Sequence, residues 1–329
     1  MYPQDTKTNK TVPKVNIISV IPVKNNSNKQ TSLRMNFFND VKFMLYCSKL
    51  FGIFTLQNIS SDIARNLRHK LFCFESFWGL LLIGIVPPIL LDFGRKSSFK
   101  YYFKVLQCVR GLIISLLSSY CDGYLPYVFD KTENVESALS LYIREDNVNR
   151  MSQFRFNKIM MYSMYFGSIS FLVINTVVEH IILKKGFLMI LGHSTSVLNV
   201  IPRQLYIVLY MYICHNITGL FILINTCWKD SVQKITEKDN QQNIMEGHLE
   251  KLRLLHNDLT KAVRQLNYAY GLRLAFYLAT VFLEVLSDLY IYFFENKFNY
   301  LQIEYNVFNV VTLYALTFTA HKLAYSVST

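Results

Sequence analysis

HLEKLRLLHNDLTKAVRQLNYAY, residues 248–270, runs without a break into GLRLAFYLATVFLEVLSDLYIYFF, residues 271–294. In the first half Leu249, Leu252, Leu255, Leu259, Val263, Leu266 and Tyr270 recur at steps of three and four. They form the apolar stripe of an amphipathic helix, with Glu250, Lys251, Arg253, Asp258, Lys261 and Arg264 left for its polar faces. The second half is apolar on all sides. The pattern predicts one helix that passes from water into lipid. Roughly 46 helical residues make about 70 Å, more than twice the ~30 Å hydrocarbon core.

Composition agrees with that reading. Of 329 residues, 52% are hydrophobic and 15% aromatic, and charge-poor stretches recur along the chain. A soluble domain of this size has no use for them, so the chain is read as an integral membrane protein. The net charge of +12 does not point to nucleic acid, because the basic residues lie between apolar spans, as the positive-inside rule distributes them. Cys47, Cys73, Cys108, Cys121, Cys214 and Cys227 are scattered, with no CxxC pair. They read as small apolar side chains, and neither a metal site nor a cofactor motif is expected. No cleavable signal is evident.

In chain order, residues 1–33 read as a disordered cytoplasmic tail. Residues 34–73 are expected to be a helical segment on the membrane surface, because Lys42 and Lys49 interrupt its apolar run. Six spans follow, at about 74–93, 105–129, 159–183, 205–228, 271–294 and 303–325. Residues 184–204 are expected to be a loop, with Pro202 near the start of the fourth span. Lys and Arg are denser before the first span and after the second and fourth. That places the amino terminus, the carboxyl terminus and the helix 246–270 in the cytosol. The fold class expected is an all-α multi-span bundle with a cytoplasmic helical anchor. The sequons at Asn9, Asn25, Asn58 and Asn216 are expected to stay unglycosylated.

Leu252-Arg253-Leu254-Leu255-His256-Asn257-Asp258-Leu259, followed by Leu266-Asn267 and Tyr270-Gly271, resembles the insect gustatory receptor family. That family carries LRxLHxxL, then LN and an aromatic-Gly pair, on a cytoplasmic helix entering the fifth span. Lys42 to Thr55, with Leu50-Phe51-Gly52, is similar to its amino-terminal segment. The resemblance implies seven spans, related to insect odorant receptors, and an intracellular amino terminus. It also implies a plasma-membrane homo- or hetero-tetramer with other gustatory receptors, forming a cation channel opened by small-molecule tastants. The family's seventh helix carries TYxxxxxQF, of which Thr312-Leu313-Tyr314 is only a partial echo. A receptor lacking that helix is the expectation, with a non-conducting modulatory subunit as the alternative.

Ionisable groups within apolar spans are expensive and point to function or to pairing. Asn175, Glu179, Arg203, Glu284 and Asp288 are expected in the outer half of the bundle, either as a polar tastant pocket or as interhelical bridges and interfacial side chains. Asp122 is expected to pair with another span, Arg273 to reach out to the interface, and His256 to pack rather than to bind metal. Leu252, Arg253, Leu255, His256, Leu259, Leu266, Asn267, Tyr270 and Gly271 form the candidate anchor motif. The histidines are isolated, without HxxxH or HExxH, which argues against an intramembrane enzyme. The Pro87-Pro88 break has no counterpart in the second half, which argues against a transporter built of matched repeats. The charge bias argues against a receptor with an external amino terminus.

Overall fold

The computed structural model describes residues 37–50, 56–61, 63–70, 120–140, 187–237, 242–295 and 300–328, with single positions between 74 and 177. The expected tail, nearly all of the first span, most of the third and much of the first half of the second fall outside the described residues.

Helix α1, Phe37–Leu50, has the spacing of a helix docked on one side: Phe37, Phe38, Val41, Met44, Leu45 and Ser48 are all buried. Asp40 in its first turn and Lys49 in its last suit the helix dipole. The segment 34–73, expected to be helical, is α-helix only over Phe37–Leu50 among its described residues. Strand β1, Leu56–Gln57, pairs antiparallel with β2, Arg68–His69, around a short 3-10 turn at Ala64–Asn66. Asn58 supports the turn from the left-handed region, with φ of 62°. Its side chain donates to the carbonyl of Asn66 at 3.2 Å, a local bond that diverts the backbone from a helix.

Helix α2, Leu125–Ser140, follows a 3-10 turn at Asp122–Tyr124 and continues well past Phe129, where the second span was expected to end. Leu125, Val128, Phe129, Thr132, Val135, Glu136 and Leu139 make its buried face. Helix α3 covers Phe187–Glu237, α4 covers Gln242–Glu295 and α5 covers Tyr300–Ser328. The loop expected over 184–204 is therefore corrected: from Phe187 onward it is helix, and Pro202 lies inside it. Proline removes one backbone bond. A loop over the same stretch would break the helical bonds of many residues, which is the larger loss.

Helix α4 is continuous, as its sequence requires. Leu252, Leu259, Leu266 and Tyr270 of the stripe are buried, with Leu255 and Val263 partly so. The stripe packs on α2 and α3 of its own chain. The chain itself covers these stripe residues. Leu254, Tyr268 and Leu272 are what the helix leaves exposed there.

Two stretches are long and apolar enough to cross a bilayer among the described residues, Gln204–Gln233 of α3 and Glu246–Ser287 of α4. They differ in what covers them: 72% of the most apolar window of the first is buried within the chain, against 33% for the second. Phe282, Leu283, Leu286 and Phe293 of α4 face outward, an apolar surface suited to lipid. Helices α3 and α4 run antiparallel. Tyr206 stacks on Tyr270 with ring centroids 4.5 Å apart, and Phe221 meets His256 edge-on at 5.0 Å. Residues 205–228 therefore lie beside the amphipathic half of α4, not beside its apolar half.

Candidate functional site

The two halves of α4 meet at Tyr270-Gly271, and the most buried polar cluster among the described residues sits there. Arg273 Nη2 donates to Asp122 Oδ1 at 2.5 Å, with side chains 1% and 0% exposed. The same nitrogen lies 3.4 Å from the carbonyl oxygen of Leu117. The guanidinium sits 5.1 Å from the ring centre of Tyr206, within cation–π range. Tyr270 packs between Tyr206 and Tyr210, 4.5 and 4.9 Å from them. Burying both charges carries a desolvation cost that only close pairing offsets, so the cluster tolerates little displacement of either helix.

Asp122 thus partners another helix, as expected. Arg273 corrects the reading from sequence: it turns inward to Asp122 instead of reaching the interface. The signal was present, since a lone acid and a lone base each stood in an apolar run. Sequence alone could not join them across 151 positions.

The anchor motif has a physical content residue by residue. Leu252, Leu259 and Leu266 are core. Arg253 forks onto Glu250 with bonds of 2.7 and 2.6 Å on the exposed face. His256 packs on Phe221, and its backbone carbonyl accepts from Thr260 Oγ1 at 2.9 Å. Asn267 lies one turn before Gly271, where an added Cβ would meet Asn267 Oδ1 at 3.1 Å. Lys131 of α2 reaches Asp258 at 3.1 Å, tying the amphipathic half to α2. Partial burial raises the Asp258 carboxyl, but hydrogen bonds from Lys131 and Lys261 outweigh it and hold the group below the usual carboxylate range.

Of the five expected pocket residues, Glu284 is placed in full. It is 3% exposed, on the buried face of α4 with Tyr277 and Val281. Asp288 lies one turn further along the same helix, located by its backbone. Arg203 is also located by its backbone, in α3. It precedes Tyr206 as Arg273 follows Tyr270, so these antiparallel helices set it level with Arg273. Eleven residues then separate that level from Glu284, about 16 Å of helix, and the structure does not bring the two together. Asn175 and Glu179 fall outside the described residues.

A separate open groove of about 520 Å³ lies between Ile224, Trp228 and Lys229 of α3, Arg253 and His256 of α4, and Tyr325 of α5. It is some 40 Å along α4 from Glu284 at helical rise. No group of His, Cys, Asp and Glu among the described residues is placed to hold a metal ion.

The described residues are nearly all helical, and α4 is apolar and outward-facing over about half its length with a buried ion pair near its midpoint, a pattern that suits a membrane protein. The sequence pattern of the 7tm chemosensory receptors matches residues 41–326, and the chain belongs to that family. This is a family of chemoreceptors and not of enzymes. Comparison with curated proteins gives no match.

Proposed function

We propose that this chain is a gustatory receptor subunit of the plasma membrane, binding a small-molecule tastant and contributing to a tastant-gated cation pathway. Family membership supports chemoreception. The particular reading rests on one observation, the placement of LRLLHNDL, LN and YG on the single helix α4 directly before its apolar half. In this reading Glu284 is the centre of the tastant pocket, joined by Asp288 and by Asn175 and Glu179 of the third span. A polar side chain on an otherwise apolar helix face can orient a small ligand through a hydrogen-bond donor of that ligand. Arg203 is left out of the pocket because of its level. Assembly into a tetramer, with itself or with other gustatory receptors, belongs to the same reading. The Arg273–Asp122 pair ties α4 to the 3-10 turn before α2, at a point between Glu284 and the amphipathic half about which a ligand at Glu284 would tilt the helix.

The test is expression in cells loaded with a calcium indicator, alone and with candidate co-receptors, against a panel of sugars, amino acids and bitter amines. A response abolished or shifted at least tenfold in half-maximal concentration by Glu284→Gln, at equal surface level, supports the pocket. A response from the wild type that Glu284→Gln leaves unchanged removes Glu284 from it. Altered responses only in the presence of co-receptors identify a modulatory subunit.

A further inference from the structure

Helix α2 grips the amino-terminal segment through acids on its inner face. Glu136 Oε2 accepts the backbone N–H of Phe37, the first described residue of α1, at 3.2 Å. One turn earlier, Glu133 Oε2 accepts the N–H of Ala64 at the 3-10 turn, at 2.7 Å. Glu136 is 6% exposed, and the residue whose N–H it accepts, Phe37, packs its ring on Phe129 of α2 with centroids 5.9 Å apart and stacks on Tyr212 of α3 at 6.0 Å. A carboxylate that accepts a backbone N–H is ordinarily solvated. This one is sealed between two helices.

We propose that the α1–α2 interface is a proton-dependent latch, in which protonation of Glu136 tightens the docking of α1 and its deprotonation loosens it. The proposal does not rest on the gustatory reading and holds for whichever compartment bathes this layer.

The surroundings of Glu136 set its sign. Asp40 of α1 and Glu133 of α2 both act on it as negative charges. Asp40 accepts from Tyr212 of α3 at 3.3 Å, and its backbone carbonyl from Tyr162 at 3.3 Å. Lys42 of α1 lies over the Phe38 ring, 5.3 Å from its centre. Arg65 of the 3-10 turn goes to Asp130 at 3.5 Å, and Lys131 goes to Asp258 of α4 at 3.1 Å. His69 lies against Gly123 at the far end of the layer. Burial first, and then Asp40 and Glu133, push the Glu136 carboxyl up from 4.5 to about 7, against the opposing pull of the Phe37 N–H.

An acid raised on docking is fully favourable below its undocked value and loses that contribution as pH rises through its docked value. Docking is therefore tightest below about pH 4.5, weakens toward about pH 7 and levels off above it. Between those limits the docking equilibrium changes by up to roughly tenfold per pH unit.

Hydrogen exchange on the full chain in nanodiscs, from pH 5.5 to 8, reads this directly as protection factors corrected for intrinsic rates. Amides of α1 around Val41 to Leu45 are expected to gain protection as pH falls, approaching tenfold per unit, while those around Leu259 of α4 stay level. Glu136→Gln should fix α1 near its acid-side protection at every pH. Should that variant misfold, Asp40→Asn should move the wild-type midpoint toward acid. The latch is overturned by flat α1 protection in the wild type, by an unchanged pH profile in Glu136→Gln, or by an unmoved midpoint in Asp40→Asn.

Discussion

Arg273 shows how far one side chain can matter in this bundle. Its charge is sealed beside Asp122 and the ring of Tyr206. Arg273→Met leaves Asp122 buried without its cation, and removing one member of such a pair costs about 3–5 kcal/mol. Replacing both, as Arg273→Met with Asp122→Leu, removes the desolvation cost along with the attraction and is expected to recover most of that loss. Unfolding of the purified protein in detergent, compared across the two single variants and the double, measures the coupling. A double variant that loses the sum of the singles would refute it. Gly271 carries a smaller prediction of the opposite sign. Asn267 is exposed, so its side chain can move aside from a Cβ at Gly271, and alanine there is expected to stabilise α4 by up to about 1 kcal/mol. Loss of stability in Gly271→Ala would mean that the Asn267–Gly271 fit is held rigidly. Both polar partners were readable as anomalies in apolar runs. Their pairing was not, because it depends on how α2 and α4 cross.

Among the helices, α4 was the most legible and α3 the least, for one physical reason. The stripe from Leu249 to Tyr270 repeats at helical spacing over several turns, and nothing interrupts it. Near Pro202, by contrast, the local preference for a helix start competes with long apolar runs on either side, and the helix runs through. Periodicity also says which face is apolar but not what covers it. Within the chain the cover is α2 and α3. That cover is measurable. Leu259→Ala and Leu266→Ala remove side chains 0% and 1% exposed, and each is expected to cost about 2–5 kcal/mol of stability. Leu254→Ala, at a position 51% exposed, is expected to change it by less than about 0.5 kcal/mol. If Leu254→Ala were as costly as Leu259→Ala in the isolated subunit, the assignment of the buried face would be wrong. If it left the subunit stable but weakened assembly, Leu254 would belong to a contact between copies.

At the scale of the molecule, two segments of similar apolarity have different reasons for it. Residues 205–228 are apolar and mostly buried in the chain, and they lie beside the half of α4 that carries Glu250, Arg253, Asp258 and Lys261. Residues 271–294 are apolar and largely uncovered. Hydropathy cannot separate a helix dissolved in lipid from one dissolved in protein, which is why the sequence alone reads 205–228 as a span. Antiparallel pairing separates them. If the charged half of α4 stands in water, its neighbour at the same depth stands there too, and the lipid-crossing part of α3 is displaced toward Phe187. Spin labels at Ile222 and Phe282, 49% and 64% exposed, discriminate the two cases. The label at position 282 is expected to collide mainly with oxygen dissolved in lipid, and the label at 222 mainly with a water-soluble paramagnetic reagent. A lipid signature at 222 would put Glu250, Arg253, Asp258 and Lys261 at bilayer depth. A charge near the centre of a bilayer costs at least about 2.5 kcal/mol on insertion scales, so several solvated ones could remain there only by lining water. That outcome would move the aqueous boundary of the receptor by the length of the amphipathic half, roughly 30 Å.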